Sequence, residues 1–243
     1  MLNDLSTNFI GRLRDRDRQA WFELWDTFGP VLRSQLARWG RGRIGRETVQ
    51  DLSQETLAAL STAIDRHDPS KGARFSTWLF AIARHTLGDE LDRRGAQKRG
   101  SGVKPKSLED YDGQAQELGP DRAYEVAVFD AKVAKAIREV EREVGFERFQ
   151  VFRMRVLEGQ SGKSVAGALG KSEPTISRHL DGVRQSLREH LREVFGRFSF
   201  TEEEWAELER NGLGTNPKKQ GDAAFDEAVA DVFHRVNQAS ATP

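Results

Sequence analysis

LEGQSGKSVAGALGKSEPTISRHLDGVRQSLREHL, residues 157–191, is the stretch on which the reading of this chain turns. Its apolar positions predict a short helix over Ser164–Leu169, a turn over Gly170–Ser172 and a longer helix over Glu173–Phe195. Val165, Ala166 and Leu169 are expected to face a core, Gly170 to permit the turn and Ser172 to cap the second helix. Ile176, Leu180, Val183 and Leu187 fall at i, i+4, i+7 and i+11, which defines one buried face. Glu173, Thr175, Ser177, Arg178, Asp181 and Arg184 make up the polar face. A short helix, a tight glycine turn and a second helix able to lie in the major groove are the parts of a helix-turn-helix. Polar groups at such a helix start can reach base edges, and arginines further along suit phosphates. An ordinary helical hairpin with a solvated polar face has the same spacing.

Upstream of this stretch the periodicity stays helical. Asp121–Val144 places Val126, Phe129, Val133, Ile137 and Val140 on one inner face, and Phe146–Leu157 forms a helix that Gly159 closes. Before these, Gly95–Pro120 holds five Gly and two Pro with no apolar period, and reads as a linker. In the first part of the chain, Ala20, Leu24 and Phe28 form a stripe, and Gly29-Pro30 is expected to punctuate before a helix over Val31–Trp39. Val49, Leu52, Thr56, Leu60 and Ile64 mark a helix over Glu47–Asp65. Ser76 is expected to cap another over Thr77–Arg94, with Leu79, Ile82, Ala83, Leu87 and Leu91 as its stripe. No segment alternates with period two, so the expected class is all-α. Its expected domains are residues 1–94 and 121–198, joined by the linker 95–120 and followed by a C-terminal extension, 199–243.

With 243 residues, 37% of them hydrophobic and 31% charged, the chain can bury two small cores, and no apolar run approaches the roughly 20 residues of a membrane span. MLNDLSTNFIGRLRDRD, at the start, has no basic segment followed by an apolar one, so a cytoplasmic location is expected. Cysteine is absent, and the histidines at 67, 85, 179, 190 and 234 are scattered, so neither a metal nor any other cofactor is expected. The net charge of zero hides strong segregation. Arg93–Lys106 carries six bases and no acid, Ser107–Asp121 five acids and no base, and the stretch beyond Ser199 nine acids against four bases. Local field, not the total, decides where DNA can dock.

Three runs carry a resemblance. Leu157, Glu158, Gly159, Ser161, Ala166, Leu169, Gly170, Thr175, Leu180, Arg184 and Leu187 fit the framework of region 4, the promoter-reading part of bacterial sigma factors. QDLSQETLAAL resembles the D-L-x-Q-E segment of region 2, with Asp51, Leu52, Gln54 and Glu55 in place. FSTWLFAIARHTLGDELDRR resembles the helix that follows it, through Phe75, Trp78, Leu79, Ile82, Ala83, Arg84, Asp89 and Arg93. Two such regions without a middle domain are similar to the extracytoplasmic-function (ECF) group of the sigma-70 family, over residues 15–197.

The resemblance implies a promoter-specificity subunit that binds core RNA polymerase and promoter DNA, with an anti-sigma factor or another regulatory protein as a candidate further partner. It implies that Asp51, Leu52, Gln54 and Glu55 dock on the polymerase. It also implies that the loop 67–74 and the next helix capture an unstacked base, with His67, Lys71, Arg74, Trp78, Arg84, Arg93 and Arg94 contacting the opened DNA. Trp78 sits at helical spacing and is read first as core. In region 4, Glu173, Thr175, Ser177, Arg178 and Arg184 are the implied DNA contacts. A stand-alone helix-turn-helix regulator is the alternative, although it has no use for the Asp51–Glu55 and Phe75–Arg94 segments. Asp51 and Glu55 are four apart on one face, but no nucleophile, metal motif or phosphate loop accompanies them, so catalysis is not expected. Outside the resemblance, Thr201 with Glu204 forms a capping box, and Phe225, Val229, Val232, Phe233 and Val236 mark a second helix too short to stand alone. It is expected to fold back on a domain or a partner, where its acids could compete with DNA for a basic surface.

Overall fold

The computed structural model describes residues 4–67, 74–99, 122–199, 201–214 and 222–241. Every regular element among them is a helix, as the absence of any period-two pattern requires. Contacts divide the chain into two compact units, Met1–Val128 with Ser199–Glu202, and Phe129–Phe198 with Glu203–Pro243.

The first unit contains α1 (Asp4–Arg14), α2 (Arg18–Trp39), α3 (Arg46–Ala63) and α4 (Phe75–Arg99). Asp17 caps α2, accepting from the Gln19 and Ala20 amides at 2.8 and 3.3 Å. Contrary to expectation, α2 runs straight through Gly29-Pro30. Proline removes one helical hydrogen bond at a cost of about 3 kcal/mol. The buried row Leu24, Phe28, Leu32 and Leu36 spans the proline, and each such side chain contributes roughly 2 kcal/mol by leaving water. Tertiary packing therefore outweighs the local break. Gly29 itself lies against Trp25, whose ring would be 2.9 Å from an added Cβ.

On α3, Val49, Leu52, Thr56, Leu60 and then Ile64 are buried, matching the expected stripe. Leu32, Leu36, Val49, Leu52, Ala83 and Leu87 form the core, with Trp25, Trp39, Ile44 and Leu91 packed round it. Thr56 and Thr86 each return their hydroxyls to a carbonyl of their own helix and meet each other at 3.3 Å across the α3–α4 seam. Ser76 does not cap α4; the helix begins at Phe75, and Ser76 is buried within its first turn, its carbonyl accepting from the Tyr124 hydroxyl at 2.9 Å. The helix also continues to Arg99, five residues beyond the expected end, with Ala96 buried. Residues 100–120 of the expected linker lie outside the described residues.

α5 (Arg122–Glu143), α6 (Phe146–Phe152) with a wide turn over Arg153–Leu157, α7 (Gly162–Leu169), α8 (Glu173–Phe198), α9 (Glu202–Arg210) and α10 (Asp222–Ala241) follow. Phe129, Val133, Ile137 and Val140 of α5 are buried, but Val126 is exposed. Tyr124 and Val128 begin the buried row, and Val126, two residues from each, points to the other side of the helix. In the second unit α6 and α7 both pack on α8, and α10 packs on the wide turn.

The extension is part of this second core. Leu208, Leu213, Phe225, Val229 and Val232 are all buried. Lys132 of α5 and Glu204 of α9 form a buried ion pair at 3.7 Å, with side chains 1% and 2% exposed, and the Lys132 ammonium lies 5.2 Å from the Phe195 ring centre. Asp130 of α5 receives two hydrogen bonds from Arg235 of α10, at 2.7 and 3.0 Å.

Candidate nucleic-acid interface

The helical period of α3 separates its residues cleanly into two sets. Asp51, Gln54 and Glu55 are exposed on one side, while Leu52, Ser53 and Thr56 face the core. Leu52, expected in the docking set, is 2% exposed and holds α3 in place instead of offering a contact of its own. The three polar residues form an acidic and amide-bearing face on a rigid helix.

Of the residues expected to handle opened DNA, Lys71 lies outside the described residues. Trp78 and His67 are both buried, and their rings stack at 4.1 Å and 19°. Arg14 reaches the same corner, donating to the carbonyls of Ile64 at 3.2 Å and His67 at 2.6 Å. Trp78 is thus core, as its spacing suggests, and His67 shares that core although it was expected to face DNA. Arg74 sits 3.5 Å from Glu125. Arg84 is exposed, its guanidinium 5.8 Å from the Trp39 ring.

Arg93 and Arg94 converge on Glu90. Arg93 donates at 2.7 and 3.0 Å and Arg94 at 2.6 Å, and Arg94 also reaches the Thr48 hydroxyl at 2.7 Å and the Arg43 carbonyl at 3.2 Å. The Arg93 hydrogen bonds, against the opposing effect of burial and with help from Arg94, hold the Glu90 carboxyl below its ordinary value. Arg94 therefore ties α4 to the start of α3 and to the loop before it; Arg41 and Arg43 of that loop and Arg46, the first residue of α3, lie on the surface. The sequence contained no sign of this joint, since its partners are 46 and 51 residues apart.

In the second unit α7, its turn and α8 form the expected pair of helices. Ser161 caps α7, accepting from the Ser164 amide at 3.1 Å. Gly170 ends it at φ 62°, ψ 34°, a left-handed conformation that glycine adopts without strain. The Lys171 amide then returns to the Ala166 carbonyl at 3.0 Å, and Ser172 meets the Thr175 hydroxyl at 2.9 Å. Val165 and Ala166 are buried and Leu169 is half-buried; Ile176, Leu180, Val183 and Leu187 of α8 are buried. Glu173, Ser177 and Arg178 are open to solvent, and Thr175 is half-buried.

Arg184 departs from expectation. It was placed on the open polar face, yet its side chain is 14% exposed and lies under α10. It donates to both carboxylate oxygens of Asp226, at 2.9 and 2.5 Å, and to Asp181 at 3.1 Å, with Asp222 3.6 Å away. Burial alone depresses its guanidinium, but Asp226, Asp222 and Asp181 more than offset this and leave it raised. One turn further along α8, Arg188 donates to Asp222 at 2.6 Å and covers the Phe225 ring at 4.3 Å. Arg188, Asp222 and Asp226 were missed as a set. Their signal was present in matched i, i+4 spacings, Arg184 with Arg188 and Asp222 with Asp226, but nothing in the sequence says that the two helices meet.

Among the described residues no three His, Asp or Glu side chains converge as a metal site would require, and no described helix is long and apolar enough to cross a membrane. Residues 24–97, from within α2 to near the end of α4, match the family described as Sigma-70 region 2. This match takes in the exposed Asp51–Glu55 face, the Trp78 corner and the Arg94 joint. No curated protein matches the chain.

Proposed function

We propose that this chain is a sigma factor of the ECF type, which binds core RNA polymerase through α3 and directs it to promoter DNA. The observation that carries the proposal is the region 2 match over residues 24–97, in which Asp51, Gln54 and Glu55 stand together on the exposed side of α3. Such a face suits docking because its side chains are already fixed in direction by the buried side, so little ordering is needed on binding. In this reading Arg84 and Arg93, with Arg41, Arg43 and Arg46, supply positive field along the first unit for the DNA backbone. The helix-turn-helix of the second unit reads duplex DNA through Glu173, Thr175, Ser177 and Arg178.

Opening a promoter without fuel requires that exposed bases be held by stacking. With Trp78 and His67 stacked on each other, base capture by either ring requires that stack to open when polymerase and DNA bind. The deciding experiment is co-purification of the full chain with core RNA polymerase, followed by transcription from a promoter library. The chain is expected to bind the core enzyme, and Gln54→Ala with Glu55→Ala to weaken binding by about tenfold or more, as truncation of central interface residues does, without altering the melting curve. A chain that binds duplex DNA as a dimer and ignores the polymerase would be a stand-alone regulator instead.

A further inference from the structure

We propose that Arg184 and Arg188 form a phosphate-docking edge beside the helix-turn-helix, and that α10 is an acidic strap occupying this edge until duplex DNA displaces it. This inference rests on the reading of α7 and α8 as a DNA-binding pair. Three features of the contact point to it.

The first is chemical correspondence. Asp226 accepts from Nε and Nη2 of Arg184 through a pair of hydrogen bonds at 2.9 and 2.5 Å, the two-pronged arrangement that a phosphate also accepts. Asp222 receives a hydrogen bond from Arg188 at 2.6 Å while standing 3.6 Å from Arg184, so one carboxylate bridges both cations. Two anions spaced one helical turn apart thus stand over two cations spaced the same way, as successive backbone phosphates could.

The second is position. Arg184 and Arg188 follow Arg178 on the same helix, in its middle turns and beyond the residues that would meet bases, which is where phosphate contacts are expected when such a helix starts in the groove. With α10 in place, their side chains are 14% and 16% exposed, too covered for a phosphate to share them.

The third is the makeup of the strap. Asp222, Asp226, Glu227 and Asp231 give α10 four acids against Arg235 as its one base. Asp222 and Asp226 lie on the side that buries Phe225, Val229 and Val232, and Glu227 and Asp231 face solvent. The apolar row seats the helix and the two aspartates hold the arginines. The polar half of this lock is salt-sensitive and is the half that DNA can exchange for its own phosphates.

The test uses the full chain and a fluorescent duplex of mixed sequence, about 30 base pairs long, with binding read by anisotropy at several salt concentrations. Asp222→Asn with Asp226→Asn removes the ionic half of the contact and leaves the apolar row, so α10 still packs in the free chain but yields the arginines to DNA more readily. It is expected to tighten binding by about tenfold and to steepen the salt dependence by about two phosphate contacts. Glu227→Gln with Asp231→Asn makes the same change in net charge on the exposed side and is expected to shift affinity less than about twofold. Adding Arg184→Gln to the first double variant is expected to cancel its gain. Equal affinities for the two double variants, or a gain that survives Arg184→Gln, overturns the strap.

A second measurement needs no substitution. Amide hydrogens of α10 in the unmodified chain are expected to lose protection when the duplex is saturating, and unchanged protection there overturns the strap as well. Failure of the helix-turn-helix reading shows separately, as duplex binding that Arg178→Gln leaves untouched. If Arg178→Gln weakens binding while the double variants agree, only the strap falls.

Discussion

Glu90 illustrates how one carboxylate can fix a joint between helices. It accepts from Arg93 and Arg94, and Arg94 carries the connection on to Thr48 and Arg43. Glu90→Gln is expected to cost the chain about 1 kcal/mol at neutral pH, a modest figure because both arginines reach solvent. The sign with pH follows from a folded value held below the unfolded 4.5. The stabilisation is complete above that unfolded value and fades as pH falls through the depressed folded one. Urea melts of the two proteins should therefore differ at pH 7 and draw together as pH falls below 4.5. A gap that stays constant as the solution is acidified would show that Glu90 acts without its charge.

Lys132 and Glu204 are a sharper case at the same scale, since both side chains are almost wholly buried. Removing one charge leaves the other in a poor medium, so Glu204→Gln is expected to cost about 3 kcal/mol. Lys132→Met with Glu204→Leu should recover most of that loss, because both desolvation penalties vanish together. Equilibrium unfolding of Lys132→Met, Glu204→Leu and the double variant measures the coupling directly.

At the scale of elements, the helices and their inward faces were largely legible. Val49, Leu52, Thr56, Leu60 and Ile64 on α3, and Ile176, Leu180, Val183 and Leu187 on α8, were identified by period alone and are all buried. The misreadings have local causes. Gly29-Pro30 looked like a stop because propensity is visible in sequence, whereas the burial of Phe28, Leu32 and Leu36 that overrides it is not. Val126 was assigned to the wrong side because a row starting at Tyr124 and Val128 fits an apolar pattern almost as well as one through Val126. The turn at Gly170 was legible for a stricter reason, since its φ of 62° excludes most other residues. Gly170→Ala is expected to destabilise the second unit by about 1 kcal/mol through that left-handed strain. No atom lies within 4 Å of the added methyl, so a thermal melt should show the loss without any packing contribution.

For the molecule as a whole, the sequence indicated two helical parts and left the place of the extension open. Contacts between distant segments decide that place: Leu208, Leu213, Phe225, Val229 and Val232 are buried, and Arg235 reaches Asp130, 105 residues earlier. The same blindness to distant contacts explains why Arg184 was read as open, whereas Ser177 and Arg178 of the same face are exposed and Thr175 is half-buried. Ending the chain at residue 202 is expected to destabilise the second unit by more than about 3 kcal/mol, given several large side chains returned to water. Hydrogen exchange of the α8 amides measures it, and unchanged protection there would contradict the burial described.

The Lys132–Glu204 pair also imposes an order on how the protein can be made. Lys132 leaves the ribosome about 70 residues ahead of the acid that neutralises it, an interval of several seconds at roughly 5–20 residues per second. Until then the buried ion pair is incomplete, and closing the core around α5 carries the cost of burying this ammonium group without Glu204. The second unit thus matures only once Glu204 has been made, and a nascent chain stalled before Glu204 would present an incomplete fold to chaperones and proteases.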